Sequence, residues 1–195
     1  MADTDPYCWP GTACLRNKLS IREPERLRES EFRIVSARDV ELARNTLPGE
    51  YNLEHYKSFH RALFRDVYEW AGETRTVNIH KPGSTFAVWQ YVDEQMSSLL
   101  HRLVATEGLL AGRRREAFVA GLADIYGDIN AVHPFREGNG RTQRAFLRQV
   151  AAAAGWRVDW SGLDASANER ASRENLTTAD TATLIALLDP IVTQI

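Results

Sequence analysis

Apolar residues recurring every three to four positions dominate this chain, and that period admits little besides helix. Leu53, Tyr56, Phe59, Leu63, Val67 and Trp70 follow Asn52 at this spacing, so one apolar stripe faces a core. Asn52 caps that helix and Ala71-Gly72 ends it. The period returns from about Val88 to Leu103, from about Arg114 to Val132, and from about Asn139 to Ala154, where Gly155 stops it. An earlier helix starts near Ser36 and stops at Pro48-Gly49. Two weaker ones start near Asp164 and near Thr178. One stretch breaks the pattern. Arg75 to His80 alternates and is rich in β-branched residues, Lys81 to Ser84 is turn chemistry, and Thr85-Phe86 resumes. That is a short β-hairpin, the only strand signal in the chain. The expected fold is an all-α domain with one short β-hairpin.

At 195 residues the chain can bury one sizeable core, so a single domain over 1–195 is expected. Its parts are an amino-terminal arm over 1–35, a hairpin at about 75–87, and a loop with its helix over 133–154. Lys plus Arg number 24 against 26 Asp plus Glu, a net charge of −2. This excludes the basic face that direct nucleic acid binding requires. No apolar run approaches the roughly 20 residues of a membrane span. The opening MADTDPYCWPG lacks the basic and apolar regions of a signal peptide, so a cytoplasmic location is expected. Cys8 and Cys14 are expected as reduced thiols, because a chain this long can fold on its core alone.

The chemistry concentrates in His133-Pro-Phe-Arg-Glu-Gly-Asn-Gly-Arg-Thr-Gln-Arg144. Gly138, Asn139 and Gly140 stand where a helix starts, and free backbone N–H groups there form an anion nest. Arg141 and Arg144 lie three apart on one helix face and can reach phosphate oxygens. Glu137 beside such a nest would repel phosphates unless a cation lay between them, and Mg²⁺ held by one carboxylate plus phosphates fits. His133 supplies an imidazole, the usual general base near neutral pH. Singly, each feature is common: a histidine before proline, a Gly-Asn-Gly turn, a solvated arginine pair. Together they describe a phosphate-handling site.

This string resembles the signature of Fic-domain proteins, HPFx(D/E)GNGRxxR, at every position. The likeness extends to Tyr56–His60 with Leu63–Gly72, to the hairpin Arg75–Phe86 where the family carries its flap, and to Asp5–Tyr7, Pro10-Gly11 and Leu15–Leu19. The resemblance implies a helical Fic fold around the motif and the transfer of AMP from ATP to a hydroxyl on a target protein. By the same resemblance His133 is the base and Glu137 holds Mg²⁺. Gly138, Asn139 and Gly140 bind phosphate oxygens, Arg141 contacts the outer phosphates and Arg144 the γ-phosphate. Phe135 points into the core, and Lys81 is the flap side chain expected to reach the nucleotide. Members that move the γ-phosphate instead carry Lys where Gly140 stands, so AMP transfer is expected here.

Many members are silenced by a helix bearing (Ser/Thr)xxxGlu(Gly/Asn), whose glutamate pairs with the second motif arginine. Thr46 with Glu50 has the spacing, but Pro48 and Gly49 bar a helix there. Glu174-Asn175 has the right ending, with Arg170 at the Ser/Thr position. The resemblance to short bacterial Fic toxins therefore implies a toxin–antitoxin pair, with a small helical antitoxin whose glutamate meets Arg144. It also implies a target among the ATPase subunits of type II topoisomerases, DNA gyrase or topoisomerase IV. Two alternatives stand: a transferase braked by its own Glu174, and a weakly catalytic adaptor that binds nucleotide.

Overall fold

Seven α-helices are found among the described residues: α1 (Pro24–Arg44), α2 (Leu53–Phe64), α3 (Val92–His101), α4 (Arg115–Val132), α5 (Asn139–Ala153), α6 (Ala165–Thr178) and α7 (Ala182–Leu188). A computed structural model describes residues 5–81 and 84–195. Its centre is α4, which buries Phe118, Leu122, Ile125, Tyr126 and Ile129 among others. Against it pack α3, α5, α6 and α7, while α2 closes over α5. The aromatic heart joins α2 to α5: Phe146 meets Tyr56 at 5.0 Å and Phe59 at 5.5 Å, both edge to face. Gly127 lets α6 approach α4, since a Cβ there would lie 2.3 Å from the side-chain oxygen of Asn175. None of the described helices is long and apolar enough to cross a membrane.

Several expectations hold closely. Asn52 caps α2 by accepting from the His55 amide at 3.0 Å. Helix α4 starts at Arg115, α5 runs from Asn139 to Ala153, and Asp164 caps α6. Both cysteines are free thiols.

Others are corrected. The first helix begins at Pro24, a residue suited to a first helical position, and not at Ser36, so it includes the last twelve residues of the 1–35 arm. Its buried face is Leu27, Glu31 and Val35, and a glutamate in that stripe hides the apolar period. Helix α2 ends at Phe64 and not at Ala71-Gly72. Val67 and Tyr68 stay buried in the turns beyond it, which prolongs the apolar pattern without a helix. The stretch from Val88 to Leu103 is α3 preceded by a 3₁₀ turn at Trp89–Tyr91 and followed by a π turn at Arg102–Thr106. Helix α7 starts at Ala182, later than Thr178.

The expected hairpin is present but short. β1 (His80–Lys81) pairs antiparallel with β2 (Ser84–Thr85), His80 opposite Thr85. Its turn, Pro82-Gly83, lies outside the described residues. A second antiparallel pair stands outside the expected single strand signal. β3 (Trp156–Val158) pairs with β4 (Val192–Gln194), Arg157 opposite Thr193. Three-residue strands so far apart in the chain leave no alternation long enough to see.

Candidate active site

The twelve-residue motif spans the end of α4, a tight loop and the start of α5. His133 ends α4 in the left-handed region, with φ 50° and ψ 63°, its amide still bonded to Ile129 O at 3.0 Å. Pro134 follows and cannot continue the helix. The His133 ring stacks on Phe86 at 4.0 Å. Its Nδ1 lies 3.3 Å from Asn130 O. A carbonyl only accepts, so Nδ1 carries the proton and Nε2 keeps a free lone pair. Burial pulls the imidazole down to about 3, reinforced by the charge of Lys81 and opposed by the bond to Asn130.

The loop is held from inside. Phe135 is fully buried, stacked on His60 at 3.9 Å and on Tyr56 at 5.7 Å. Asn139 clamps it: its Oδ1 accepts from the Phe135 amide at 2.8 Å and its Nδ2 donates to Phe135 O at 2.7 Å. The Asn139 side chain is thus spent on the loop, leaving only its backbone for a ligand. His60 accepts at Nδ1 from the Gly72 amide at 2.8 Å and donates from Nε2 to Glu137 O at 3.1 Å. That fixes a neutral tautomer, and burial lowers this histidine too, to about 3.

At the mouth of α5 the first intrahelical bond runs from the Thr142 amide to Gly138 O. The amides of Asn139, Gly140 and Arg141 precede it and have no helical acceptor. Gly138 sits at φ +81°, where a Cβ would also lie 2.3 Å from the Phe64 ring. Glu137 turns Oε1 to the Gly138 amide at 2.8 Å and to Arg141 at 3.2 Å. Its Oε2 has no bond within the described residues. Among those residues no three His, Cys, Asp or Glu side chains gather as a metal cluster. One carboxylate beside open amides fits Mg²⁺, which keeps most of its shell for water and phosphate oxygens.

Two hollows meet at His133. The larger, about 420 Å³, lies between the hairpin, the motif and α6; Lys81, Phe86, Tyr126, Gly140, Asn168 and Arg173 line it. A smaller one of about 150 Å³ is walled by Ile79, His80, Arg136, Glu137 and Asn139. Of the residues singled out in the sequence, His133, Lys81 and Gly140 line both hollows. Glu137 and Gly138 line the smaller one. Arg144 stands behind Gly140, its guanidinium 3.3 Å from where a Cβ would project. Arg141 is drawn aside. It pairs with Glu31 at 2.5 Å and lies over the Phe64 ring at 4.7 Å, while the Tyr68 hydroxyl donates to the other Glu31 oxygen.

The model of the Fic/DOC family matches residues 50–151, which takes in α2, the hairpin, α4 and the motif. The chain belongs to the Fic/DOC family. It is 40% identical over 171 residues to the protein adenylyltransferase VbhT of Bartonella schoenbuchensis, covering 88% of this chain and 36% of that protein. It is 40% identical over 161 residues to the probable protein adenylyltransferase y4lH of Sinorhizobium fredii, covering 82% of each. The crystal structure of the effector BepC from Bartonella tribocorum, with bound AMPPNP, superposes with a TM-score of 0.91 at 25% identity over 97% of both chains.

In this Fic chain several site residues carried no motif of their own. Glu31 is a buried acid inside a charged string, and the signal that betrays it is its i, i+4 spacing between Leu27 and Val35. His60 sits on the apolar face of α2, where a core histidine looks like any other core residue. Arg75, Asn168 and Arg173 reach the site through tertiary approach alone.

Proposed function

We propose that this chain is a protein adenylyltransferase that moves AMP from ATP to a hydroxyl of a target protein. One observation carries the reading: His133 stands where the two hollows meet, with Nδ1 protonated and Nε2 free. ATP fits the larger hollow, its phosphates on the Asn139–Arg141 amides and near Lys81, with Arg144 on the γ-phosphate. Arg141 reaches the outer phosphates on leaving Glu31. Glu137 would hold Mg²⁺, which would supply charge neutralisation at the phosphates. The target hydroxyl enters beside the hairpin, where an extended segment can add to the short flap. Its oxygen bonds to the α-phosphorus, the bond to the bridging oxygen breaks, and pyrophosphate leaves. The hydroxyl proton passes to Nε2 of His133. Phosphate charge near the ring raises its basicity. The relatives named protein adenylyltransferases and the AMPPNP-bound neighbour support this choice.

The finer reading is a cytoplasmic toxin kept silent by a small helical antitoxin, acting on the ATPase subunits of type II topoisomerases. Arg144 makes no ion pair among the described residues, which suits a glutamate arriving from another chain. Glu174 is exposed on α6 and is likewise unpaired there, which does not favour a brake of its own. The test is incubation with α-labelled or γ-labelled ATP in bacterial lysate. Label on protein from the α position alone is expected. Label from the γ position alone would make it a kinase, and no label with intact ATP binding would leave the adaptor.

A further inference from the structure

Arg75 is the largest fully buried side chain of the described residues, 1% exposed, and no carboxylate pairs with it there. A guanidinium stripped of water without a counter-ion is costly unless its donors find acceptors. Here backbone carbonyls take up four of the five. Nε donates to His133 O at 2.8 Å, Nη1 to Val77 O at 2.8 Å, and Nη2 to Ala87 O and to Val132 O, the latter at 3.1 Å. The Arg75 amide adds a bond to Pro134 O at 2.9 Å. Val77 precedes β1, Ala87 follows β2, and Val132–Pro134 is the turn that carries His133. A neighbouring bond from the Ala87 amide to Ala131 O at 3.0 Å stitches the same seam.

We propose that Arg75 is a positioning residue that locks both roots of the flap to the His133 turn, so that flap and base hold one fixed spacing. It touches neither hollow. A planar fork with five donors can span four carbonyls on three segments, and a lysine ammonium with three donors on one nitrogen cannot. An apolar side chain at this place would fill the volume and leave four carbonyls unmet. The observed choice therefore serves geometry: the segment that would present a hydroxyl and the imidazole that would accept its proton share one rigid anchor.

This inference rests on the adenylyl transfer proposed above, and hydrogen exchange tests it without requiring any transfer. In the parent chain the amides of Arg75, Ala87 and His133 should exchange as one cooperative unit with a common opening. In Arg75→Lys, residues 77–81 and 84–87 should exchange at least tenfold faster while α5 keeps its protection. Affinity for MgATP should stay within about twofold by calorimetry. AMP incorporation into lysate proteins from α-labelled ATP, at saturating nucleotide, should fall at least tenfold. An Arg75→Lys chain with unchanged flap exchange and unchanged transfer overturns the proposal. So does a parent in which Ala87 and Arg75 exchange far faster than His133, a result that stands even where Arg75→Lys and Arg75→Met fail to fold. Loss of transfer in the parent with coupled exchange intact would count against the adenylyl transfer alone.

Discussion

A helix that ends on a left-handed histidine departs from the usual glycine. The αL conformation costs a side-chain-bearing residue on the order of 1 kcal/mol, and such strain persists only where its surroundings over-determine it. Phe86 stacking, the Asn130 carbonyl and the Arg75 fork supply that here. His133→Ala should leave the circular dichroism spectrum and MgATP affinity largely intact while AMP transfer falls by about 10²- to 10⁴-fold. Transfer within threefold of the parent would remove the assigned role. Gly138 is constrained more tightly. Its φ of +81° and a Cβ position 2.3 Å from the Phe64 ring mean that Gly138→Ala must push back a packed aromatic. A loss of about 2 kcal/mol or more is expected by urea denaturation, together with weakened MgATP binding.

Among the elements, α1 contributes more to the site than its sequence suggests. Glu31 is almost fully buried and joins Arg141 of α5 to Tyr68 beyond α2. Removing one member of a fully buried ion pair costs about 3–5 kcal/mol; with Arg141 30% exposed, about 2 kcal/mol is expected for Glu31→Gln by urea denaturation. A change below 0.5 kcal/mol would reduce the contact to a solvated pair. The same helix shows where legibility ended. The bounds expected for α4 and α5 agree with the observed ones within one residue at each end, because their apolar periods and the Pro134, Gly138 and Gly155 that bound them lie along the chain. For α1 the sequence points to a start twelve residues after Pro24, because the inward stripe includes a charge. The motif loop is legible whole, since twelve consecutive residues hold the imidazole, the nest and the carboxylate. Its supports His60 and Arg75, and the α6 wall, are not, because each arrives from another segment and leaves no local pattern.

The molecule as a whole holds two neutral buried histidines at its motif, and its stability should register both. Burial, the largest cause in each case, lowers His60 and His133 to about 3. In the unfolded chain histidine titrates near 6.5, so below that pH the unfolded state takes up protons that the folded state refuses. Stability therefore rises with pH between about 3 and 6.5 and is fully present above that window. The expected slope is about 1.4 kcal/mol per pH unit for each histidine through the middle of the window and falls off towards either end. Urea midpoints at pH 7, 6, 5 and 4 would show it, and His60→Phe should remove roughly half of the slope. A flat profile from pH 6.5 to 4.5 would mean that both rings are hydrated and able to ionise.

The ion pair between Glu31 and Arg141 bridges 110 positions of chain, and Gln149 receives the Leu47 amide across 102 more that overlap them. On a ribosome adding about 5–20 residues per second, roughly 5–20 seconds separate the synthesis of the two charged partners. For that interval α1 and α2 exist with neither nest nor base, and the acid that will orient Arg141 has nothing to orient. Catalytic competence thus arrives late and in one piece. A nascent or prematurely terminated chain lacking α5 has the residues of the flap and of the aromatic face of α2, but lacks the amides on which the proposed nucleotide would rest.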